Sequence, residues 1–394
     1  MRTAEAPQQR IASLNEIIHS ALNLVRFCLG MEVAFVTEFK QGRRIFRHIA
    51  SRIDQVPVKA GDSHPLEESY CQYIVSGAIP AIVEDSQVFP FLKALAVTDA
   101  LQIRAHLGVP IRLSDGSVFG TFCCYSRTPS STLREADVTA MTHFAELIAT
   151  ILEQRIIAER ARESTALLLS DAIDTQALYI AYQPIVDLAT GMVAGFEALA
   201  RFRGEPVRGP EQWFADAHAV ARGVELELLA IRGAIDGIGR LPLHAYLSLN
   251  VSPGTILSGE LPGALAGAPL DRIVLELTEH APIEEYGALE AALASLRSAG
   301  LKLAIDDTGS GYASFRHILQ LDPDIIKLDQ SLIRDIDEDH GRRALAMGLI
   351  TFATETGCTI VAEGVETERE LTVLKSLGVG TAQGYLLGRP GPLA

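Results

Sequence analysis

From Tyr179 onward the chain is built of eight short apolar runs separated by stretches of helical periodicity, and this alternation narrows the choice of fold more than any other feature. The runs are YIAYQPIVDL, MVAGFEALAR, AYLSLNVS, RIVLELTE, LKLAIDD, DIIKLD, TIVAEGVE and AQGYLLG. Between them, ALEAALASLRSAG (288–300) and ALAMGLITFATETG (344–357) repeat apolar residues at three and four. Each ends on a Gly suited to a helix C-cap. Strand-type runs alternating with helices argue for β/α units and a parallel sheet. Eight of them over about 215 residues predict a (β/α)8 barrel, a fold typically of about 250 residues.

The polar residues of these runs are not scattered. Glu197, Asn250, Glu276, Asp306 with Asp307, Lys327 with Asp329, and Glu363 each close a different apolar run. In a barrel that end is the face where catalytic side chains converge. Carboxylates gathered there repel one another and are costly to desolvate, so a counter-charge is required. The strand-end donors are oxygens, with no His or Cys among them, which points to Mg²⁺ or Mn²⁺ rather than zinc. The adjacent Asp306 and Asp307 suit a bridge between two ions, the arrangement used for in-line displacement at phosphorus. Lys327 is then placed to meet a phosphate or to orient an attacking water.

Charge sharpens the picture. Lys plus Arg number 34 and Asp plus Glu 49, a net charge of −15 that excludes holding a long nucleic acid by bulk electrostatics. Residues 1–160 hold 16 basic and 17 acidic side chains, leaving 34 − 16 = 18 and 49 − 17 = 32 for the rest, so the acidity belongs to the second half. Five cysteines with no CxxC spacing do not describe a disulfide scaffold. No apolar run approaches the ~18 residues of a membrane span, and the expectation is a soluble cytoplasmic protein.

The first half reads differently. An apolar face over Ile11–Leu29 predicts an opening helix, followed by strand-type runs at 32–39, 43–50, 79–85, 106–113 and 117–126. Ser114-Asp115-Gly116 between the last two predicts a hairpin turn. From Leu133 a helical pattern runs without Gly or Pro through Asp171, with an apolar stripe at Met141, Phe144, Ile148, Ile151 and Leu152. It is read as a helical linker over 133–171, overlapping the ends of both domains and paired with its copy in a homodimer; the other reading is two separate helices with a break near Arg160.

Glu197-Ala198-Leu199 followed by Arg201, SLNVSP (248–253), ELTE (276–279), DDTGSGY (306–312), KLD (327–329), AEGVET (362–367) and QGYLLGRP (383–390) occur in that order. Over residues 165–394 the chain thereby resembles the EAL domain family. The resemblance implies a cyclic di-GMP phosphodiesterase that linearises its substrate to 5′-pGpG with two Mg²⁺ or Mn²⁺ ions. By the same resemblance Glu197, Asn250, Glu276, Asp306, Asp307 and Glu363 are metal ligands, and Lys327 and Glu363 act on the attacking water. Glu279 braces the loop after Asp307. Gln183, Leu199, Arg201, Asp329, Glu366, Gln383 and Tyr385 line the substrate. Thr308 stands where the family has a Phe, and the segment after Arg201 is shorter than usual. The other reading is a barrel that binds cyclic di-GMP or a protein without turnover.

LEESYCQYIVSGAIPAIVEDS (66–86) and HLGVPIRLSDGSVFGTFCCYS (106–126) carry a second likeness: over residues 10–155 the chain resembles a GAF sensory domain. No ligand is legible for it. Cys71, with His64 or with Cys123 and Cys124, is a candidate chromophore, redox or metal position, set against plain packing of small buried thiols.

Overall fold

The computed structural model describes residues 7–204, 207–277, 283, 285–308 and 313–393 and, of residues 7–14, 307 and 313–315, the backbone alone. The chain divides into two compact units, Met1–Ala161 and Arg162–Ala394.

The first unit is a six-stranded antiparallel sheet of β1 (Val33–Lys40), β2 (Arg43–Ser51), β3 (Ser63–Pro65), β4 (Ile82–Val83), β5 (Ala105–Arg112) and β6 (Val118–Ser126), in the order β3-β2-β1-β6-β5-β4. Gln41 and Gly42 join β1 to β2 with φ of 51° and 71°, the left-handed pair of a type I′ turn. Asp115 accepts the Ser117 N–H at 2.8 Å and Gly116 takes φ 82°, closing the β5–β6 hairpin. Alternation along β6 puts Cys123 and Tyr125 on one face and Phe122 and Cys124 on the other. Phe122 and Cys124 pack with Ile18, Leu22, Met141 and Ile148 of two helices, Pro7–Cys28 and Glu135–Asp174. Cys123 and Tyr125 pack with Phe35, Phe46, Leu92 and the short helix Tyr70–Val75. The helix Glu135–Asp174 is continuous for 40 residues, and Asp137 accepts the Arg134 N–H at its start.

The second unit is a closed barrel of β7 (Leu178–Asp187), β8 (Val193–Phe202), β9 (Tyr246–Val251), β10 (Ile273–Leu277), β11 (Lys302–Thr308), β12 (Ile325–Leu328), β13 (Thr359–Ala362) and β14 (Thr381–Ala382). These are the eight runs expected from the sequence. One detail departs from a fully parallel barrel: β7 is antiparallel to both neighbours, β8 and β14. The link between β7 and β8 is a five-residue hairpin in which Asp187 accepts N–H bonds from Ala189 and Thr190, too short for the helical crossover a parallel pair needs. Helices close the other units, and Gly357 ends the helix His340–Thr356 at φ 76°.

Inside the barrel, Ile185, Val274, Ala304, Ile325 and Val361 form a buried apolar layer against which Tyr246 packs. Strand β8 contributes only Gly195 here, because a Cβ on it would lie 2.7 Å from the Tyr246 ring. Two residues further along the same face of each strand the character changes. Gln183, Glu197, Ser248, Glu276, Asp306, Lys327, Glu363 and Gln383 follow, one per strand or just beyond it.

Filling the space beside Tyr246 should therefore cost stability. Gly195→Ala is expected to lower the unfolding free energy by about 1–3 kcal/mol, whereas Gly239→Ala, with nothing within 4 Å of its Cβ, stays within about 0.5 kcal/mol. Equal urea midpoints for the two variants would show that the ring yields freely.

Candidate active site at the mouth of the barrel

Lys327 sits at the centre of the polar layer with its side chain 2% exposed. Its Nζ lies 2.6 Å from Glu363 Oε1, 2.7 Å from Glu276 Oε2, 3.2 Å from Asp306 Oδ1 and 3.7 Å from Glu197 Oε2. Four strands thus aim carboxylates at one ammonium from a fifth. Withdrawing such charges from water costs several kcal/mol per ion, repaid only where the remaining lone pairs are also satisfied. Ser248 Oγ donates to Glu276 Oε1 at 2.5 Å. Asn250 Nδ2 donates to Glu197 Oε1 at 3.0 Å, and Gln383 Nε2 donates to Glu197 Oε2 at 2.6 Å. Asp306 Oδ1 makes no hydrogen bond among the described residues despite its nearness to Nζ.

Proton affinities follow from this unequal provision. Burial works against the Glu197 carboxylate, but the Lys327 ammonium and the amides of Gln383 and Asn250 outweigh it and hold its pKa below the usual value. Glu276 is pushed well up by burial and by the charge of Glu197. Glu363 is pushed up to about 8, chiefly by burial, against the pull of Lys327. Burial would strip the proton from Lys327, yet the four carboxylates overcome it and raise its pKa well above normal.

The backbone departs from regular strand pairing at the two consecutive aspartates. Residues next to each other on a strand face opposite ways. Between β11 and β12, however, Ile305 pairs with Ile326 and Thr308 with Leu328, so two residues, Asp306 and Asp307, stand against Lys327 alone. Such a bulge re-aims a strand at its end. Asp307 is described here by its backbone only, and Glu279 lies outside the described residues. Thr308 is fully buried.

The residues expected to line a substrate divide into two groups. Gln183 and Gln383 are buried, and Gln383 holds Glu197: its Nε2 also donates to Gln183 Oε1 at 2.9 Å, and Gln183 Nε2 donates to Gly388 O at 3.1 Å. Asp329 accepts the Ser331 N–H at 2.9 Å and so caps the short helix Gln330–Ile333. Leu199 and Arg201 follow Glu197 on its face of β8 and are half-buried, with Arg201 Nη1 donating to Ala200 O at 2.8 Å. Glu366 is exposed, and Tyr385 is 53% exposed with the Arg389 guanidinium 4.4 Å from its ring centre. Ser248 was not singled out by the sequence reading; its position two residues before Asn250, hence on the same strand face, is the signal that could have found it. Among the described residues no three His, Cys, Asp or Glu side chains are arranged around a common metal position. The carboxylates close on Lys327 instead.

Comparison with known proteins agrees with this architecture. Cyclic di-GMP phosphodiesterase NbdA of Pseudomonas aeruginosa is 34% identical over 238 residues, 57% of this chain and 30% of that protein. A Mycobacterium tuberculosis protein is 31% identical over 285 residues, 67% of this chain and 45% of its own length. The chain spans under half the length of the first curated relatives it matches. Among solved structures, Klebsiella pneumoniae BlrP1 in a manganese/cy-diGMP complex at pH 9.0 is 35% identical with a TM-score of 0.50, over 55% of this chain and 56% of that one. The PaMucR phosphodiesterase in complex with c-di-GMP is 27% identical with a TM-score of 0.53, over 58% and 98%. A GAF domain matches residues 13–152, the sheet unit, and the EAL domain matches residues 168–390, more than half of the sequence. The chain belongs to the EAL domain family.

Proposed function

We propose that the barrel is a divalent-metal-dependent phosphodiesterase that opens cyclic di-GMP to 5′-pGpG, and that the GAF domain regulates it. The observation that carries this reading is the convergence of Glu197, Glu276, Asp306 and Glu363 on Lys327 at one mouth. Relatives named as cyclic di-GMP phosphodiesterases, and neighbours solved with c-di-GMP, support the substrate.

The donor set fits a hard cation. It is all oxygen, it carries four carboxylates against one ammonium, and Asp306 Oδ1 is left without a hydrogen bond. Glu197, Asn250, Glu276, Asp306, Asp307 and Glu363 would hold one or two Mg²⁺ or Mn²⁺ ions. Bound there, such ions would neutralise phosphate charge and lower the pKa of water. Glu363, its pKa pushed up to about 8 chiefly by burial, is suited to exchange a proton near neutrality. Lys327, relieved of its carboxylates once they meet cations, is positioned by β12 to orient a water or contact a phosphate oxygen. Arg201 and Tyr385, on the open side, meet the dinucleotide, together with Leu199, Asp329 and Glu366. Gln383 acts on it through Glu197, and Gln183 through Gln383. Glu279 braces the loop after Asp307.

We further propose that residues 10–155 and 165–394 work as sensor and effector through the helical segment 133–171, and that the protein is a cytoplasmic homodimer. No helix among the described residues is long and apolar enough to cross a membrane. Ile17, Leu24 and Phe27 on the first helix and Leu147, Ile157 and Leu167 on the long one are exposed apolar residues suited to pairing.

Purified full chain with Mn²⁺ or Mg²⁺ is expected to convert cyclic di-GMP to pGpG, with Glu197→Ala and Glu363→Ala each reducing turnover by at least about 10²-fold. Tight binding without product would instead identify a receptor. A second expectation concerns the metal-free protein. A carboxyl whose folded pKa is raised contributes stability present below its unfolded value and lost as pH climbs through the folded one. With Glu363 at about 8 and Glu276 also raised, the barrel's melting temperature should fall between pH 5 and pH 8, and Glu363→Gln should flatten that slope. A pH-independent barrel transition would argue against protons standing in for missing cations.

A further inference from the structure

Inside the GAF sheet a cation is buried without a carboxylate. Arg44 on β2 is 2% exposed, and an arginine stays protonated throughout the range in which proteins fold. Its Nε and Nη2 bond to no described atom. Nη1 donates to the sulfur of Cys71 at 3.7 Å, and the Phe46 ring lies 4.7 Å from Cζ. Arg104 of the same domain shows the ordinary solution, holding Asp85 through Nε and Nη2 at 2.9 and 2.8 Å near the surface. An uncompensated buried guanidinium costs several kcal/mol. The group in contact with Arg44 that can supply negative charge is the Cys71 sulfur.

The surroundings of Cys71 favour that state. Burial alone would keep it a thiol, but the Cys123 thiol, the Arg44 charge and the Thr121 hydroxyl outweigh it and bring its pKa down to about 5. Cys123 moves the opposite way, pushed up by burial and by its bond to Cys71. His106 is 1% exposed with neither ring nitrogen hydrogen-bonded, and burial followed by the Arg44 charge lowers its pKa to about 3, so it is neutral. Gly108 makes room for the thiol: a Cβ there would lie 2.8 Å from Cys123 Sγ. Cys71 and Cys123 pack in one buried cluster, the first on the helix Tyr70–Val75 and the second on β6.

We propose that Cys71 is a peroxide-reactive thiolate held by Arg44, with Cys123 as the thiol that resolves it to a disulfide. The Cys71 thiolate attacks one oxygen of a hydroperoxide, the O–O bond breaks, and Cys71 sulfenic acid and an alkoxide or hydroxide result. The Cys123 sulfur then attacks the sulfenic sulfur, its proton joins the departing hydroxide, and water leaves as the S–S bond forms. The two cysteines lose two electrons and the hydroperoxide gains them. Both oxidised forms are uncharged, so oxidation leaves Arg44 without its counter-ion. Neither sulfur is exposed, and the oxidant enters through opening of the six-residue helix Tyr70–Val75, an element too short to persist without its packing. The chemistry is confined to the sheet domain and does not depend on what the barrel binds.

The test uses the full chain and a stoichiometric amount of hydrogen peroxide near neutral pH, followed by alkylation in denaturant and peptide mass spectrometry. The expected product is a disulfide joining the Cys71 and Cys123 peptides, with the exposed Cys28 still reduced. In Cys123→Ser a dimedone probe should label Cys71. The ultraviolet thiolate absorbance of the untreated chain should disappear in Cys71→Ser, whose fold is checked by circular dichroism. Oxidation that falls on Cys28 while Cys71 and Cys123 remain thiols overturns the proposal, and so does a thiolate band unchanged by Cys71→Ser.

Discussion

A single buried ammonium facing four carboxylates governs the mouth of the barrel. Lys327 is held at 2.6 and 2.7 Å by Glu363 and Glu276, with Asp306 and Glu197 further out. One positive charge does not balance four negative ones in a site screened from water. The remainder is met in two ways: amide and hydroxyl donors from Asn250, Gln383 and Ser248 support Glu197 and Glu276, and raised proton affinity keeps part of the cluster neutral. Each device requires a strand to deliver its side chain at the right level. The apolar layer of Ile185, Val274, Ala304, Ile325 and Val361 directly beneath is what fixes that level.

Strand direction matters to the same balance. Because β7 returns against β8 through a short hairpin, Gln183 pairs in register with Glu197, and its amide joins Gln383 beside that carboxylate. A helical crossover would have needed a dozen or more residues and would have brought β7 in from the other end. The chain then crosses back at its far end, where Tyr182 bridges Gly391 and Gly388 accepts the Gln183 amide. The reversed strand thus ties the Gly388–Gly391 segment to Glu197, the carboxylate of the EAL motif.

Much of this was legible beforehand. The eight apolar runs are the eight strands, and four of the carboxylates that end them, Glu197, Glu276, Asp306 and Glu363, meet Lys327, because strand ends in a barrel converge whatever the details of register. Direction was not read, since alternation is the same in either sense, although the five residues between β7 and β8 were already too few for a crossover. The bulge that sets Asp306 and Asp307 against Lys327 left no mark, because it depends on pairing with a neighbour and not on composition. Asp329 closes its run like the other strand-end carboxylates, and one of its oxygens also caps the helix Gln330–Ile333. Arg44 escaped notice for a related reason: a basic residue in an alternating strand reads as solvent-facing, and its partner Cys71 lies 27 residues away.

The two units share one physical logic with opposite sign. In the barrel, buried negative charge exceeds buried positive charge; in the sheet, a guanidinium is buried where no carboxylate of the described residues bonds to it. Each imbalance is tolerated because the surrounding core is apolar and closely packed, with Phe35, Phe46 and Tyr125 around one and the inner barrel layer beneath the other. Replacing either set by hydrophobic residues of similar volume would be neutral or stabilising by the usual reckoning of buried ion pairs. Stability therefore does not account for their presence: under the proposed function an excess of carboxylates has a use where cations and phosphates meet, and under the proposed thiolate a buried guanidinium has a use where a thiol must stay ionised. On these proposals both places would respond to a change of charge of one or two units, a cation arriving in the first case and a thiolate lost in the second. A folded domain senses such changes most strongly where water cannot screen them.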